Sequence, residues 1–294
     1  MAKSMETALM YEGQHYSFQV DAVIVQEIRD TRDNFLVQYD KHCSEKNYCA
    51  IYFSSNDIYY PNNEEIFRKR IVEQDAYEWY GTRIKKVYKH IFLRDVYKQW
   101  YLKGINTNID TPEKLSQWLK TETEGYKVIT LGSSAGGYAA MLYGSLLHAE
   151  RILAFNPQFE LNSLFNRSNE TRNPILYRLK GSEWSKYFDI TQWVKNRPHN
   201  IFYFYSAKSS WDIKQCQHTT SVKGIHRIAF STSHHGIPFL KVALPKVINM
   251  EKRELLSLES QTNNPIIFTI RMVGMKSAVT GFYKQIVAAK LRRI

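Results

Sequence analysis

The sequence predicts an α/β fold with a doubly wound, mostly parallel sheet that carries helices on both faces. Three observations lead to this prediction. From residue 126 onward, short apolar runs typical of buried strands alternate with segments of helical spacing. A glycine-rich turn at residues 132–137 lies between one such strand and the next helix. The chain has 294 residues, of which 44% are hydrophobic, which is enough for one large domain with a substantial core.

The N-terminal half begins with segments whose composition favours β-structure. Residues 15–28 and 34–39 are rich in alternating apolar and β-branched side chains, so we expect half-buried strands there. Further strands are predicted at residues 48–53 and 86–93. Residues 111–119 begin with Thr, Pro and Glu, which are favourable at a helix N-terminus, and predict a helix.

The second half consists of strand and helix units in alternation. The predicted strands are residues 126–131, 151–155, 200–205 and 226–230, and the predicted helices are residues 136–147, 212–218 and 237–247. Alternation of this kind is typical of a parallel sheet that is covered on both faces.

Two regions depart from this alternation. Residues 158–198 are polar, rich in Asn and Arg and without a clear period, and predict an insertion over the sheet. We expect residues 1–250, with that insertion, to form one α/β domain, and residues 251–294 to form a basic C-terminal extension. From Arg271 to the C-terminus there are six basic residues and no acidic one. Two interpretations of this tail remain open: an interfacial helix on an acidic membrane surface, or a helix whose apolar side packs on the domain.

The charge balance indicates an anionic partner. Lys and Arg (40) exceed Asp and Glu (28) by 12, which suits nucleic acid, an acidic lipid surface, an acidic glycan or an acidic cofactor, without choosing among them. The spacing of Cys43, Cys49 and Cys216 matches no zinc pattern, so we predict reduced thiols and no metal site. No apolar run suits a signal peptide or a membrane span. We therefore expect a soluble, cytoplasmic protein, with contact to the inner face of the membrane at most.

The most specific motif is the G-x-S-x-G sequence at residues 132–136, placed directly after a strand and before a helix. A nucleophile on so tight a turn has strained dihedral angles, and glycines two residues before and after it avoid a collision. The turn exposes the hydroxyl of Ser134 and directs the backbone N–H of Ala135 toward a developing oxyanion. The alternatives are a plain helix-capping turn and a phosphate loop, but the chain has no G-K-[ST] motif.

A nucleophilic serine needs a base, and the base needs an acid that orients it. The next post-strand loops of this kind supply Asp212 and His235, so the chain order is Ser134, Asp212, His235. Alternatives exist for both partners. Asp212 is also suited to be a helix N-cap, with Asp189 as another candidate acid, and His234 lies beside His235.

The remaining candidates follow from their positions after predicted strands. The backbone N–H of Ser54 or Ser55 is the predicted second oxyanion donor, because both follow an early strand. Arg94, His234 and Trp211 are predicted to contact the substrate. For Arg94 the alternative is a salt-linked turn.

Taken together, the G-x-S-x-G turn at residues 132–136, which we call the elbow, Asp212 and His235 resemble an α/β-hydrolase over roughly residues 48–247. Within that superfamily, the chain is similar to bacterial capsule and surface-polysaccharide O-acetyltransferases and to accessory proteins of glycan assembly. The features that carry this similarity are the Phe53-Ser54-Ser55 strand end, the Arg94-Asp95, Trp100-Tyr101 and Gly104 stretch, the Gly-Ser-Ser-x-Gly-Gly elbow and the His235-Gly236 pair. The HGGG-type oxyanion loop of many esterases is missing, which leaves the second donor open.

The resemblance implies a serine-triad O-acyltransferase that forms an acyl-serine on Ser134, with acetyl-CoA as donor substrate and no tightly bound cofactor. The implied acceptor is a bacterial capsular or surface polysaccharide, anionic in view of the basic charge. A carbohydrate esterase or deacylase with the same triad is the alternative, and a non-catalytic assembly subunit is another. A nucleic-acid binder is not favoured, because the chain has no recognition element beyond its charge.

Overall fold

The architecture is built around one seven-stranded sheet. The structure is a computed structural model that describes residues 18–291. The strands are β1 (Phe35–Tyr39), β2 (Tyr48–Phe53), β3 (Lys89–Leu93), β4 (Lys127–Ser133), β5 (Arg151–Phe155), β6 (Ile201–Ser206) and β7 (His226–Phe230). Their order is β1-β3-β2-β4-β5-β6-β7. Only the pair β1–β3 among them is antiparallel, so the predicted mostly parallel α/β sheet is confirmed.

The chain winds in both directions from the centre of this sheet. After β2 it forms β3 on one side, then crosses back to place β4 on the other side, and continues outward to β7. Ligand sites of open α/β sheets lie at such a switch point, outside the carboxyl ends of the strands. Here the switch lies between β2 and β4, where Phe53 is in register with Gly132.

The helices cover both faces. They are α1 (Phe18–Asp21), α2 (Val23–Thr31), α3 (Glu64–Phe67), α4 (Pro112–Glu122), α5 (Ala135–Leu146), α6 (Pro174–Arg178), α7 (Thr191–Val194), α8 (Ser210–His218), α9 (Leu244–Val247), α10 (Lys252–Ser257), α11 (Pro265–Val273) and α12 (Met275–Leu291). Alternate residues of one strand face opposite layers: Val128 packs in the cluster around α5, whereas Ile129 and Leu131 pack in the cluster on the other face.

The predicted strand at residues 15–28 is wrong where the structure describes it, since α1 and α2 occupy residues 18–31. Ile24, Val25 and Ile28 are buried and Val23 is 78% exposed, which is a helical rather than an alternating pattern. The β-branched composition led to the strand prediction, but packing of one helical face decided the structure. Residues 15–17 lie outside the described residues.

Two other regions are more irregular than a simple alternation. Residues 158–198 form short helical segments that pack on α5, and the hydroxyl of Tyr138 donates a hydrogen bond to the carbonyl of Tyr187, 2.6 Å away. The predicted helix at residues 237–247 is reduced to a 3₁₀ turn, Lys241–Ala243, followed by α9.

The residues after 250 contact the sheet directly. The backbone of Asn263 pairs with Ala229 and Ser231 beside the edge strand β7. The ring of Phe268 packs 5.0 Å from that of Phe230 and 5.2 Å from that of Phe239, measured between centroids. A division of the chain at residue 250 stays a prediction.

Within residues 18–291, no helix has the length and hydropathy that crossing a membrane requires. Over the same residues, no group of three or more His, Cys, Asp or Glu side chains is arranged to hold a metal ion. Cys43, Cys49 and Cys216 are free thiols.

Candidate active site

The turn between β4 and α5 has the strained geometry that the motif predicts. Ser134 has φ 53° and ψ −120°, a conformation that non-glycine residues rarely adopt. A Cβ atom on Gly132 would lie 2.1 Å from the carbonyl oxygen of Gly136, and one on Gly136 would lie 2.3 Å from that of Phe53. The motif therefore needs glycine at both positions because the backbones approach so closely.

Three side chains that follow different strands of the sheet meet at this turn. Nε2 of His235 lies 2.9 Å from Oγ of Ser134, and Nδ1 of His235 lies 2.7 Å from Oδ1 of Asp212. The Asp212 side chain is 1% exposed, whereas that of His235 is 40% exposed. A buried carboxylate thus orients an imidazole whose other nitrogen faces the serine hydroxyl, as a general base requires.

The structure also distinguishes the alternative candidates. The N-cap of α8 is Ser209, whose hydroxyl accepts a hydrogen bond from the N–H of Asp212, so the Asp212 carboxylate is not engaged in capping. Asp189 instead accepts hydrogen bonds from the N–H and hydroxyl of Thr191, at the start of α7. Of the two histidines, His235 is the one in contact with Ser134.

The fold is identified by where these residues lie on the sheet. Ser134 follows β4, Asp212 follows β6 and His235 follows β7, and all three lie at the carboxyl edge of a doubly wound sheet. The chain has the α/β-hydrolase fold. The α/β-hydrolase elbow and triad order therefore agree with the topology as well as with the sequence motif.

The chain is similar to known proteins in its structure. No protein-family model and no curated protein sequence matches the chain. Its structure is similar to the capsule O-acetyltransferase of Neisseria meningitidis serogroup A, with 16% identity and a TM-score of 0.46 over 67% of this chain and 82% of that chain. Another structure of that enzyme is a complex with CoA, at 15% identity and a TM-score of 0.42 over 67% of this chain and 82% of that chain. The fluorophosphonate-binding serine hydrolase F of Staphylococcus aureus is similar with 10% identity and a TM-score of 0.40 over 77% and 92% of the two chains.

The loop that carries the histidine of this α/β-hydrolase site is held by residues at the ends of β5 and β6. Nδ2 of Asn156 donates hydrogen bonds to the carbonyl oxygens of His234 and Gly236, at 3.2 and 2.9 Å. The hydroxyl of Ser206 donates to the carbonyl of His234 as well, and Oδ1 of Asn156 accepts from the N–H of Ser206. Residues on both sides of His235 are therefore anchored to the sheet, which fixes the position of the imidazole.

The predicted second oxyanion donor requires a correction. The N–H of Ser54 donates to the carbonyl of Leu93, 3.1 Å away, as part of the sheet. The N–H of Ser55 donates to the carboxylate of Glu78. Both N–H groups are therefore occupied in this structure. Ala135 begins α5, where the first N–H groups of a helix have no partner within it, so its N–H remains a suitable donor.

The residue that sequence reasoning missed is Gln158. Its Nε2 lies 3.3 Å from Oγ of Ser134, and its Oε1 accepts a hydrogen bond from Nε1 of Trp100, 3.0 Å away. A polar side chain three residues after β5, at the same sheet edge as the triad, was the available signal. The sequence prediction places this residue at the start of the insertion.

Arg94 does not line the cavity that adjoins the triad, which corrects the prediction for it. Its side chain is fully buried, donates to Oδ1 of Asn34 and to the carbonyl of Ala76, and forms an ion pair with Asp75. The guanidinium also stacks on the ring of Tyr77, 4.5 Å from its centroid. Arg94 therefore joins elements behind the sheet edge, which agrees with the alternative of a salt-linked turn.

Trp211 and His234, the other two predicted substrate contacts, lie in two different environments. Trp211 lies beside Asp212 at the start of α8, where the guanidinium of Arg167 stacks 4.4 Å from its ring centroid. His234 lines the cavity that adjoins the triad. Burial lowers the pKa of His234, and the neighbouring Lys241 and His235 lower it further.

A cavity of about 680 Å³ adjoins the triad, and His235 forms part of its wall. This volume is in the range of small-ligand sites. Its lining combines the acidic groups Asp57 and Glu78 with the basic groups Lys241 and Lys284. Burial raises the pKa of the Glu78 carboxyl, although the hydrogen bonds from Ser55 oppose that shift.

Proposed function

We propose that the protein is a serine-triad O-acyltransferase that transfers an acetyl group from acetyl-CoA to a hydroxyl of an anionic bacterial capsular or surface polysaccharide. The observation that carries the proposal is the continuous contact from Asp212 through His235 to Ser134 on a strained strand-to-helix turn. This arrangement suits acyl transfer through an acyl-serine, because it activates a hydroxyl that is weakly nucleophilic on its own.

In the first half-reaction, Oγ of Ser134 attacks the thioester carbonyl while Nε2 of His235 takes the hydroxyl proton. Asp212 stabilises the imidazolium that forms. The N–H of Ala135 donates to the oxyanion, close to the positive end of the α5 dipole. The carbon–sulfur bond then breaks, the thiolate receives the proton from His235, and acetyl-serine remains.

In the second half-reaction, an acceptor hydroxyl attacks the acetyl-serine. His235 takes the proton of that hydroxyl, the new ester forms, and the bond to Oγ breaks with return of the proton to Ser134. Water in place of the sugar would give an esterase. The two activities therefore differ in whether the bound acceptor excludes water from the acyl-serine.

The lining of the cavity supports a polar and anionic substrate. The carboxylate of Asp57 is an acceptor for sugar hydroxyls, and Lys241 and Lys284 suit carboxylate or phosphate groups of a glycan or of CoA. The proposal includes action in the cytoplasm, where acetyl-CoA is available and where free thiols such as those of Cys49 and Cys216 are the rule.

The test is to incubate the purified protein with acetyl-CoA and a panel of anionic capsular oligosaccharides, and to record acetylated products by mass spectrometry. Release of CoA that depends on one oligosaccharide, together with an acetylated sugar, supports the proposal. CoA release without a sugar product, or removal of acetyl groups from acetylated oligosaccharides, indicates the esterase instead.

The matched control is Ser134→Ala, which keeps the fold but lacks the nucleophile. We expect this variant to lose acetyl transfer and labelling by a fluorophosphonate probe. Activity of the variant at the level of the wild type would remove Ser134 from the mechanism. A wild-type protein that neither reacts with the probe nor releases CoA would indicate a non-catalytic subunit.

A further inference from the structure

Neither of the two backbone donors predicted after β2 is free in this structure. The N–H of Ser54 is used in the sheet, and that of Ser55 is bonded to Glu78. Acyl transfer nevertheless needs preorganised donors around the tetrahedral intermediate, and removal of one donor typically costs a large factor in kcat.

Gln158 places such a donor beside the serine hydroxyl. The side chain is 4% exposed, and the indole N–H of Trp100 donates to its Oε1. Because that oxygen is held, the amide cannot be reversed without loss of the bond to Trp100, and Nε2 faces Oγ of Ser134. The oxyanion is bonded to the same carbon as Oγ, so a donor that reaches Oγ at rest lies within reach of the oxyanion.

The position of Trp100 is itself enforced by the backbone. Trp100 has φ 55°, and the carboxylate of Asp95 accepts hydrogen bonds from the N–H groups of Tyr97, Gln99 and Tyr101 around it. The backbone thus holds Trp100, and Trp100 holds the amide of Gln158 in place before the reaction begins. The amide does not need to reorient during the reaction.

We propose that the side-chain amide of Gln158 is the second hydrogen-bond donor to the oxyanion, beside the N–H of Ala135. This inference rests on the acyl-serine chemistry of the proposed function and applies to any acyl donor. Gln158 is then a catalytic residue, and Trp100 is a positioning residue that acts through it.

The test measures acetylation of Ser134 in a single turnover with p-nitrophenyl acetate, which needs neither CoA nor a glycan. For Gln158→Ala and Gln158→Glu we expect the acylation rate to fall about 10²- to 10³-fold, with little change in KM. Trp100→Phe removes the hydrogen bond that holds the Gln158 amide and is expected to lower the acylation rate less. In all of these variants, a pH profile of the rate with an unchanged midpoint would show that His235 still acts as the base. Gln38→Ala is the matched control, because its amide donates to the hydroxyl of Tyr80 at the far edge of the sheet.

A rate within threefold of the wild type in both Gln158 variants, with Ser134→Ala inactive, would overturn the role of Gln158 and leave the proposed function standing. A wild-type protein that is not acylated at all would count against both proposals. Thermal melts of each variant separate a lost donor from a lost fold.

A different observation carries a second inference, on the outer surface of α11 and α12. Large apolar side chains are concentrated there and are between 37% and 60% exposed, or 69% for Tyr283. We call this set the C-terminal apolar face; it comprises Ile266, Ile267, Met275, Val279, Phe282, Tyr283, Ile286 and Val287. The opposite side of α12 is the one that packs: Ala278 is 3% exposed, and a Cβ on Gly281 would lie 2.7 Å from Val242.

The charges of this region are all of one sign. Residues 260–294 contain six Lys or Arg and no Asp or Glu. Arg271, Lys276 and Lys284 are exposed on the same two helices. An apolar surface flanked by basic groups is typical of helices that lie in the interface of an anionic bilayer.

We infer that the C-terminal apolar face docks on an anionic membrane surface. The charge complementarity favours this occupant over a second copy of the chain, which would bring like charges together. Gly281, Lys284 and Gln285 of α12 also line the cavity, so the helix that carries the apolar face forms part of the cavity wall.

The test is co-flotation with vesicles of phosphatidylcholine alone and with added phosphatidylglycerol. We expect the wild type to float with the anionic vesicles and to be released by salt. Phe282→Ser with Ile286→Ser, and separately Arg271→Glu with Lys276→Glu, are expected to weaken binding about tenfold or more. Val23→Ser is the apolar control, since Val23 is 78% exposed on α2.

Analytical ultracentrifugation completes the experiment. The inference would be overturned if the wild type bound neither kind of vesicle and sedimented as a dimer while the Phe282→Ser, Ile286→Ser variant was a monomer. That result would assign the C-terminal apolar face to contact with a second copy of the chain. A monomer that binds neither vesicle would overturn it too.

Discussion

The side-chain amide of Asn156 donates a hydrogen bond to the carbonyl oxygen of Gly236, 2.9 Å away. The same Nδ2 reaches the carbonyl of His234, so one buried side chain holds both neighbours of His235. The imidazole is thus positioned by the end of β5, a strand that carries neither the base nor the acid. This connection explains how an exposed loop keeps a side chain within bonding distance of both Ser134 and Asp212.

Asn156→Ala is expected to lower kcat by about 10- to 100-fold with little change in KM, because a small displacement of the base is costly. Asn156→Asp tests the same point, since it keeps an acceptor for the N–H of Ser206 but cannot donate to the two carbonyls. Ester hydrolysis and its pH profile are the measurements. Asn200→Ala is the control, because Asn200 bonds the carbonyl of Ala149 away from the site. Equal kcat in Asn156→Ala and wild type would contradict this role.

Asp212→Asn is expected to reduce kcat by about 10⁴-fold, because an amide does not stabilise the imidazolium and favours the wrong tautomer. The loss should not come from unfolding, since Ser209 caps α8. Circular dichroism and ester hydrolysis would be compared with Asp189→Asn, which removes a carboxylate that contacts Thr191 and is expected to retain activity. Similar losses in both variants would argue against Asp212 as the acid.

Ser134→Gly is expected to be inactive but more stable than Ser134→Ala by about 1 kcal/mol, because glycine adopts φ 53° without strain. Urea unfolding measures the difference. The control is Ser145 within α5, where glycine should instead be less stable than alanine by about 1 kcal/mol. If Ser134→Ala had the larger free energy of unfolding, the backbone at residue 134 would not be strained in this way.

Glu78→Gln tests the raised pKa of the Glu78 carboxyl. Because the folded protein holds this proton more tightly than the unfolded chain does, the wild type loses stability as pH rises from about 4, the unfolded value, through the raised pKa. The free energy of unfolding of the wild type minus that of Glu78→Gln should therefore decrease as the pH rises above about 4. Urea titrations at several pH values measure it, and a difference that rises with pH would contradict the assignment.

Much of the architecture could be predicted because it depends on local patterns. Apolar runs bounded by turns predicted β2 and β4 to β7, and the fold class is confirmed by their parallel order. The same patterns predicted a triad of Ser134, Asp212 and His235. All three residues follow strands, and the carboxyl ends of parallel strands lie at one edge of a sheet. The strand prediction for the N-terminal segment was wrong, because its β-branched residues are compatible with both the helical and the strand period. Only the burial of one face decides between the two structures.

What the sequence by itself determined is the order of strands and helices, the glycine-dependent elbow and the set of side chains available at the sheet edge. The tertiary structure alone decided which donors are free. Glu78 accepts a hydrogen bond from the N–H of Ser55, 23 residues away in the sequence. Trp100 orients the amide of Gln158, 58 residues away. The physical reason is that backbone periodicity and turn geometry are set by neighbouring residues, whereas each hydrogen-bond partner is chosen among groups that only the folded chain brings together.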